Sequence, residues 1–194
     1  MTRAERIFVR ISVIQTILAV TGFFVALVAL FAALNEADAV RKQQMASVWP
    51  HVTIRDYNYG SAGAERFNVV IGNRGIGPAR IMVASLLLDD AIVGSWRELV
   101  APFTGDNVSE AAISTVRISG AVLAPGEDIV AFGVSAQKTS PTLVAAVQSL
   151  AQSGRVNIEI CYCSVFDDCF SLNAVKETTT PVQKCVSASR NASV

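Results

Sequence analysis

The sequence predicts a mostly β protein, in which an N-terminal transmembrane helix precedes a β-sandwich with one or two added helices. An uncharged apolar segment covers residues 11–34. After residue 48, short β-branched segments alternate with turns rich in Gly and Pro, as in a sandwich. Helical periodicity returns only briefly in that second part. The predicted regions are an N-terminal segment at 1–10, the span at 11–34, a helical linker at 35–48, the sandwich at 49–175 and a C-terminal tail at 176–194.

The composition excludes two broad classes of protein. Of the 194 residues, 52% are hydrophobic and 16% are charged, whereas about 25% are charged in an ordinary soluble domain. This composition excludes a disordered chain, because disorder requires low hydrophobicity and high charge. The chain has 16 basic and 16 acidic residues and a formal net charge of zero. Without a basic cluster to neutralise phosphates, no nucleic acid is expected as a partner.

Residues 11–34 are predicted to contact the lipid bilayer as a single helix. About 20 apolar residues suffice to cross the hydrocarbon core, and one segment satisfies its backbone there only as a helix. The alternative is a cleaved signal peptide, whose apolar region is about 7–15 residues long. The small-x-small sequence Ala37-Asp38-Ala39 keeps that alternative open. The length of the segment favours a retained anchor.

The basic residues that flank the span predict its orientation. Arg3, Arg6 and Arg10 precede it, and Arg41 and Lys42 follow it. Positive residues concentrate on the cytoplasmic side of a membrane. We therefore expect residues 1–10 in the cytoplasm and the C-terminal domain outside it.

One face of the predicted span carries small residues and a glutamine. The spacing alternates between four and three, which places these residues on one helical stripe. Small side chains let two helices approach closely, and a Gln side chain can form a hydrogen bond across the contact. The alternative is chance, since Ala is common in the chain. This small-residue stripe consists of Gln15, Ala19, Gly22, Ala26, Ala29 and Ala33.

The elements that follow the span are predicted in order from local patterns. Good helix formers at 35–48 continue the helix, and Trp49-Pro50 ends it, because a proline restricts the residue before it. A capping box predicts a short helix at 96–101, and Ser140-Pro141 opens a helix to residue 153. The tail from Lys176 is expected to be irregular. Strands are predicted at 52–57, 66–71, 80–88, 92–95, 116–119, 129–135, 156–165 and 169–175.

Three segments of the predicted sandwich resemble a known kind of module. They are FNVVIGNRGIGPA from Phe67, RIMVASLLLDD from Arg80, and LAPGEDIVAFGV from Leu123. Their Asn-x-Gly-x-Gly strand end and Pro-Gly-Glu turn resemble bacterial immunoglobulin-like modules, of which the cell-adhesion-related domain is the nearest type. The hairpin from Tyr162 to Asp168 is similar to one in single-pass bacterial proteins of unknown role. The resemblance implies an immunoglobulin-like fold in the bacterial inner membrane, with a periplasmic domain, and it implies no activity.

The four cysteines are the sharpest chemical feature, and they are Cys161, Cys163, Cys169 and Cys185. An even number of cysteines in an oxidising compartment predicts disulfides. Cys161 and Cys163 share one face of a strand, and the turn at 166–168 brings Cys169 back towards Cys163. These relations favour the pairs Cys163–Cys169 and Cys161–Cys185, although sequence alone leaves three connectivities open. The alternatives are a four-thiolate zinc site, without its usual C-x2-C spacing, and free buried thiols.

The sequence gives little support for a catalytic site. His51 is the single histidine, and no G-x-S-x-G nucleophile elbow occurs. The glycines at 72, 75 and 77 fit neither a P-loop nor a dinucleotide fingerprint. The Asp pairs 89/90 and 167/168 are more typical of turns than of calcium sites. We therefore expect no enzyme and no cofactor.

The sequence thus predicts a membrane-anchored, non-enzymatic binding or scaffold protein. The expected role is that of an accessory subunit that docks to an envelope protein or to its own copies. The alternative hypothesis is a metal- or ligand-sensing module that uses the cysteine hairpin. A hydrolase with an unrecognised site is a third hypothesis.

Overall fold

The structure is a computed structural model, and it describes residues 3–104 and 113–186. The first residues of the predicted cytoplasmic segment and the last residues of the predicted tail therefore lie outside the described part. The chain divides into two compact units, Met1–Ala46 and Ser47–Val194. The second unit is called the β-domain below.

The first unit is one long helix, α1, which runs Arg3–Ser47. Asn35 does not interrupt it, so the predicted linker at 35–48 continues the same helix as the predicted span. Strong helix formers and an ion pair of 2.7 Å between Lys42 and Asp38, one turn apart, support this second part. The helix is long and apolar enough to cross a membrane. A signal sequence near an N-terminus would meet the same criterion.

Among the residues described, the β-domain contains two antiparallel sheets and two further helices. The first sheet has the strand order β1-β2-β7-β5, and the second has the order β10-β9-β8-β3-β4, with β6 paired to β3. β1 and β10 are therefore edge strands. The elements are β1 Val52–Tyr59, β2 Arg66–Asn73, β3 Ala79–Leu88, β4 Ala91–Val93, α2 Trp96–Thr104, β5 Ile113–Thr115, β6 Val122–Leu123, β7 Asp128–Ser135, α3 Pro141–Gln152, β8 Val156–Cys163, β9 Cys169–Asn173 and β10 Thr178–Val182.

Both sheets contribute alternate residues to one apolar core. On β2 the buried residues are Phe67, Val69 and Ile71, and the core residues of β8 include Ile158 and Ile160. Successive strand residues point to opposite faces, so this spacing of two directs each set to one side of its sheet. Burial of each such side chain stabilises the fold by about 1.5–3 kcal/mol.

The two helices of the β-domain begin at the predicted caps. The Ser140 side chain accepts a hydrogen bond from Leu143 N at 3.2 Å, and Pro141 follows as the first helical residue of α3. Ser95 Oγ accepts from Glu98 N at 3.2 Å, which satisfies a free N–H at the start of α2. α2 extends to Thr104 rather than to the predicted residue 101.

Two predictions about the strands were wrong. The strand expected at 116–119 lies earlier, as β5, and only Val116 N still bonds to the neighbouring β7, at Ala131 O. The tail expected to be irregular from Lys176 contains β10, which pairs along β9 with Thr180 opposite Ser171. β-Branched threonines favour an extended strand, and a tight turn at Glu177, with a φ of 50°, reverses the chain. The folded domain therefore extends beyond the predicted boundary at 175.

Candidate functional site

An open cavity of about 590 Å³ lies in the β-domain. Residues from both sheets and from both helices line it. The edge strand β1 contributes residues 52–56, and the segment from β9 to β10 contributes five lining residues, Leu172, Ala174, Val175, Glu177 and Thr179. The cavity therefore lies beside the edge strands of the two sheets.

Much of the cavity wall consists of apolar side chains, which lie beside polar side-chain and backbone groups. The first sheet contributes Phe67 and Phe132, and the second contributes Ile158 and Leu172. All four side chains are buried. The α3 helix adds Val147, Leu150 and Ala151. Such walls bind apolar surface, because apolar groups gain free energy when they leave water.

The charged side chains that line the cavity are exposed and of both signs. They are Arg55, Asp56 and Glu177. His51 also lies at this exposed rim. A few polar groups around an apolar interior are typical of small-molecule sites.

Trp96 is the buried polar side chain of the cavity wall. It is the first residue of α2 and is 5% exposed. Its ring stacks on Phe132, with 4.8 Å between centroids and 25° between planes. The indole Nε1 is buried and has no hydrogen-bond partner among the residues described. A buried donor without an acceptor is unusual in folded proteins, and this atom is closed to solvent.

Tyr162 joins the two sheets beside the cavity. This β8 side chain is 1% exposed, and its hydroxyl has hydrogen bonds to the Val52 backbone and the Thr179 side chain. Burial raises the pKa of Tyr162, and these two hydrogen bonds partly oppose that rise. Val52 and Thr179 also line the cavity.

A fully buried asparagine, Asn73, fixes the chain that enters the β-domain. Its Oδ1 accepts from His51 N at 3.2 Å and from Gly75 N at 3.0 Å. Its Nδ2 donates to the carbonyls of Gly77 at 2.8 Å and Leu123 at 3.1 Å. Both polar atoms of the amide are therefore hydrogen-bonded, and these bonds offset the free-energy cost of burying this polar side chain.

The glycines after Asn73 allow close contact with the residues that follow α1. Trp49 O accepts hydrogen bonds from Ile76 N at 3.0 Å and from Gly77 N at 3.3 Å. A Cβ atom at Gly77 would lie 1.8 Å from Val48 O. The Asn-x-Gly-x-Gly segment at residues 73–77, called the collar loop below, therefore has a structural role.

The cysteines form two adjacent pairs. Cys161 and Cys185 have an S–S distance of 2.04 Å, and Cys163 and Cys169 have one of 2.07 Å. These are the pairs that the sequence favours, and they are called the tail disulfide and the hairpin disulfide. Cys163 Sγ lies 3.8 Å from Cys185 Sγ. The tail disulfide comes just after β10 and so fastens that edge strand.

The same sulfur atoms are the possible ligands in the alternative hypothesis of a metal site. The Sγ atoms of Cys163, Cys169 and Cys185 lie within 4.8 Å of one another. Zinc is bound by thiolates, so these sulfurs become metal ligands only after reduction. Within the described ranges, no other group of possible ligands meets the same distance criterion.

The paired aspartates occupy turns. Asp89 and Asp90 have φ values of 50° and 64°, and Asp167 has a φ of 63°. Asp tolerates this left-handed region better than most residues. Asp89 accepts a hydrogen bond from Arg155 Nε at 2.8 Å, and this contact lowers the pKa of Asp89. Asp167 binds Arg80 at 2.8 Å. These carboxylates therefore hold arginines at the turns.

The small-residue stripe lies on the exposed surface of α1. Gln15, Ala19, Gly22, Ala26, Ala29 and Ala33 are all exposed. A Cβ atom added at Gly22 would meet nothing within 4 Å. The stripe is thus open to a partner helix, and it lies apart in sequence from the cavity residues.

Sequence reasoning missed Trp96, Tyr162 and Asn73 as site or framework residues. A polar aromatic residue inside an apolar strand, as at Tyr162, was one available signal, because buried tyrosines usually find a hydrogen-bond partner. The S-x-x-K spacing of some acyl enzymes also occurs, at Ser135 and Lys138. There it marks a turn, in which Lys138 N donates to Ser135 O at 3.0 Å.

Comparison with known proteins places the chain in a family. A family model described as "Domain of unknown function (DUF8453)" matches residues 11–179. The match thus begins with the uncharged apolar segment and ends within β10. No curated protein matches the chain, and no solved structure matches it. Because the match covers most of the sequence, the chain belongs to the DUF8453 family, a domain family of unknown function.

Proposed function

We propose that the chain is a membrane-anchored, non-enzymatic binding protein that takes a small ligand into the cavity of its β-domain. The observation that carries the proposal is the cavity itself. Its volume of about 590 Å³ falls within the range of about 300–1,000 Å³ that is usual for ligand sites. Its apolar walls and polar rim provide affinity and orientation, respectively.

The proposed location is the bacterial inner membrane, with α1 as the single span and the β-domain in the periplasm. Two disulfide pairs support an oxidising compartment. The basic residues before the span support a cytoplasmic N-terminus. An immunoglobulin-like sandwich is the proposed finer fold, and two antiparallel sheets with a shared core support it.

The absence of catalysis is proposed from the chemistry of the lining residues. Catalytic nucleophiles need an adjacent base in hydrogen-bond reach. Within the described residues that line the cavity, the charged side chains and His51 are exposed at the rim. The interior walls hold no carboxylate, amine, imidazole or thiol among those residues. Binding therefore explains this site better than group transfer does.

A neutral fluorescent dye tests the proposed function. N-Phenyl-1-naphthylamine is titrated onto the full chain in lipid nanodiscs, and energy transfer from tryptophan reports occupancy, with empty nanodiscs as the background. Ala151→Phe adds an aromatic ring to the α3 wall, whereas Ala91→Phe adds the same ring to the exposed strand β4.

We expect one dye molecule per chain in the wild type and in Ala91→Phe. In Ala151→Phe, we expect affinity at least about tenfold weaker, because the ring occupies the space of the ligand. Circular dichroism melts verify that both variants fold. Non-saturable binding, or equal binding to Ala151→Phe and the wild type, would refute the proposal.

Docking to an envelope protein or to a second copy is proposed as the setting of this binding. The exposed small-residue stripe supports contact within the bilayer. Crosslinking in native membranes tests it, and discrete crosslinked species are the expected result. A chain that stays uncrosslinked at every reagent length would argue against a stable partner.

A sensor based on the cysteine hairpin is the second candidate function. The close sulfurs of Cys163, Cys169 and Cys185 are the observation that favours it. Thiol titration and zinc analysis are made on chain purified from membranes, with and without reductant. Four reactive thiols with one zinc per chain support the sensor, and no free thiols with no metal support the disulfide-bonded binding protein.

A further inference from the structure

The two disulfides lie close enough together to exchange partners. We propose that they form a two-step relay, in which an external dithiol reduces the buried hairpin disulfide by way of the more accessible tail disulfide. The product holds a new disulfide between Cys163 and Cys185. This inference depends neither on the cavity nor on the proposed ligand.

The positions of three sulfur atoms allow the exchange. Cys163 Sγ lies 3.8 Å from Cys185 Sγ, although the two belong to different disulfides. Cys169 Sγ lies within 4.8 Å of both. Exchange proceeds by attack of a thiolate on a disulfide sulfur. Cys185, once it is released from Cys161, therefore lies beside a sulfur that it can attack.

The tail disulfide is the more accessible of the two. Cys161 and Cys185 are half-buried, whereas Cys163 is 3% exposed and Cys169 is 9% exposed. The rate of exchange depends on access to the sulfur that is attacked. A dithiol in solution therefore reacts first with the tail disulfide.

Strand pairing keeps Cys185 in place after the tail disulfide opens. Val182, in the last pair of β10, lies opposite Cys169, and Cys169 lies opposite Cys163 in β8. Cys185 follows Val182 by three residues, and three residues span at most about 11 Å. The freed thiol thus stays near the hairpin disulfide, and a tethered group has a high effective concentration.

Electrons and protons balance over the two steps. In the first step, one thiolate of the dithiol attacks Cys161 Sγ, forms a mixed disulfide and releases the Cys185 thiolate. The second thiol of the dithiol then displaces Cys161, and the dithiol leaves as a disulfide. In the second step, the Cys185 thiolate attacks Cys163 Sγ and expels the Cys169 thiolate. The two hydrogens of the dithiol end on Cys161 and Cys169, so the dithiol loses two electrons and the chain keeps one of its two disulfides.

The turn of the hairpin accommodates the thiol that leaves. Cys169 Sγ lies 3.4 Å from Asp167 O. A protonated Cys169 can donate to this carbonyl, since a thiol is a weak hydrogen-bond donor. The leaving group therefore has a partner inside the domain.

Two single variants test the second step without any reductant. Cys161→Ser leaves Cys185 free beside the hairpin disulfide. Cys185→Ser is the matched control, because it leaves Cys161 free, and the Cys161 sulfur does not belong to the group within 4.8 Å. Each full chain in lipid nanodiscs is incubated without oxygen and alkylated. Chymotryptic peptides are then mapped by mass spectrometry, since cleavage after Tyr162 separates the two cysteines of β8.

The two variants should differ in which cysteines are alkylated. In Cys161→Ser, we expect at least about a tenth of the chains to hold the Cys163–Cys185 bond with an alkylated Cys169, because the exchange replaces one disulfide by another. In the control, we expect alkylation of Cys161 alone. A Cys161→Ser chain alkylated only at Cys185 would overturn the relay, and so would equal rearrangement in the control.

A measurement on the wild type remains decisive if a variant does not fold. One equivalent of dithiothreitol, a small dithiol, is added to the full chain in nanodiscs, and samples are alkylated over time with N-ethylmaleimide. Cys161 and Cys169 should become alkylated together, and Cys163–Cys185 should be the bond that remains. Alkylation of Cys161 with Cys185, alkylation of Cys163 with Cys169, or no reaction would each overturn the relay. Four free thiols before the dithiol is added would overturn it as well.

Discussion

Removal of the Tyr162 hydroxyl should destabilise the β-domain by separating two edge strands. The hydroxyl bonds to the Val52 backbone and to the Thr179 side chain. Tyr162→Phe keeps the ring beside Phe170, where the centroids are 5.6 Å apart. It removes the hydroxyl from its contacts with the Val52 backbone and Thr179.

The size of the effect follows from burial. Val52 is 1% exposed, and a buried polar group that loses its partner costs about 1–3 kcal/mol. Thr179 is exposed, so its hydroxyl can bond to water instead. We therefore expect a loss of about 2 kcal/mol in the free energy of unfolding. For a domain of this size, that loss lowers Tm by about 4–8 °C.

The pKa of Tyr162 adds a dependence on pH with a definite sign. Burial raises this pKa above the ordinary value of 10.0. Below pH 10 the phenol is protonated in both states, so its contribution is fully present. Above pH 10 the unfolded chain ionises first, and stability falls as pH rises through the folded pKa. Tyr162→Phe should therefore lose less stability than the wild type between pH 9.5 and about 11.

Urea unfolding of the full chain in detergent, followed by near-ultraviolet circular dichroism, measures both effects. Tyr57→Phe is the matched control, since Tyr57 is 38% exposed, and it should change stability by less than about 0.5 kcal/mol. The reasoning is refuted if Tyr162→Phe costs under about 0.5 kcal/mol at pH 7, or if the control costs as much.

Three further predictions test separate features, each with a matched comparison. Gly77→Ala in the collar loop should cost about 3 kcal/mol in urea unfolding, because its Cβ would lie 1.8 Å from a backbone oxygen. Gly94→Ala, which meets only a side-chain carboxylate at 2.9 Å, should cost under about 1 kcal/mol. Replacement of the tail disulfide by serines should lower the free energy of unfolding by about 3 kcal/mol, and replacement of the hairpin disulfide should lower it by about 2 kcal/mol. The tail disulfide closes the longer loop, because the sequence separations are 24 and 6. Equal losses for the two replacements would contradict this reasoning. Gly22→Leu should reduce crosslinked dimers in membranes at least about fivefold, whereas Val25→Leu, off the small-residue stripe, should leave them unchanged.

The elements that sequence could predict are those set by local periodicity. α1, β2 and α3 follow from an uncharged apolar segment, an alternating strand and a Ser-Pro cap, respectively. The cysteine pairs follow from two local facts, the shared strand face of Cys161 and Cys163 and the hairpin that returns to Cys169. β10 was missed because Thr178–Val182 shows no alternation and contains a proline. Proline is tolerated there because β10 is an edge strand.

The cavity was not predictable because it depends on distant parts of the chain. Its walls combine β1 and β2 with α3, β8 and β9, whose register against one another no local pattern reveals. The unpartnered state of Trp96 is likewise a property of its surroundings. Sequence shows a capped helix start at Ser95, but not what surrounds the indole. Such features appear only when the sheets are paired.

The hydrogen bonds of β1 explain how the cavity can stay open. An edge strand presents backbone N–H groups that need acceptors, and burial without them is unfavourable. Here the Val52 backbone contacts the Tyr162 hydroxyl. A side chain thus lies where a further strand would otherwise pair. Since no strand is needed there, the two sheet edges can stand apart and leave the apolar space between them accessible.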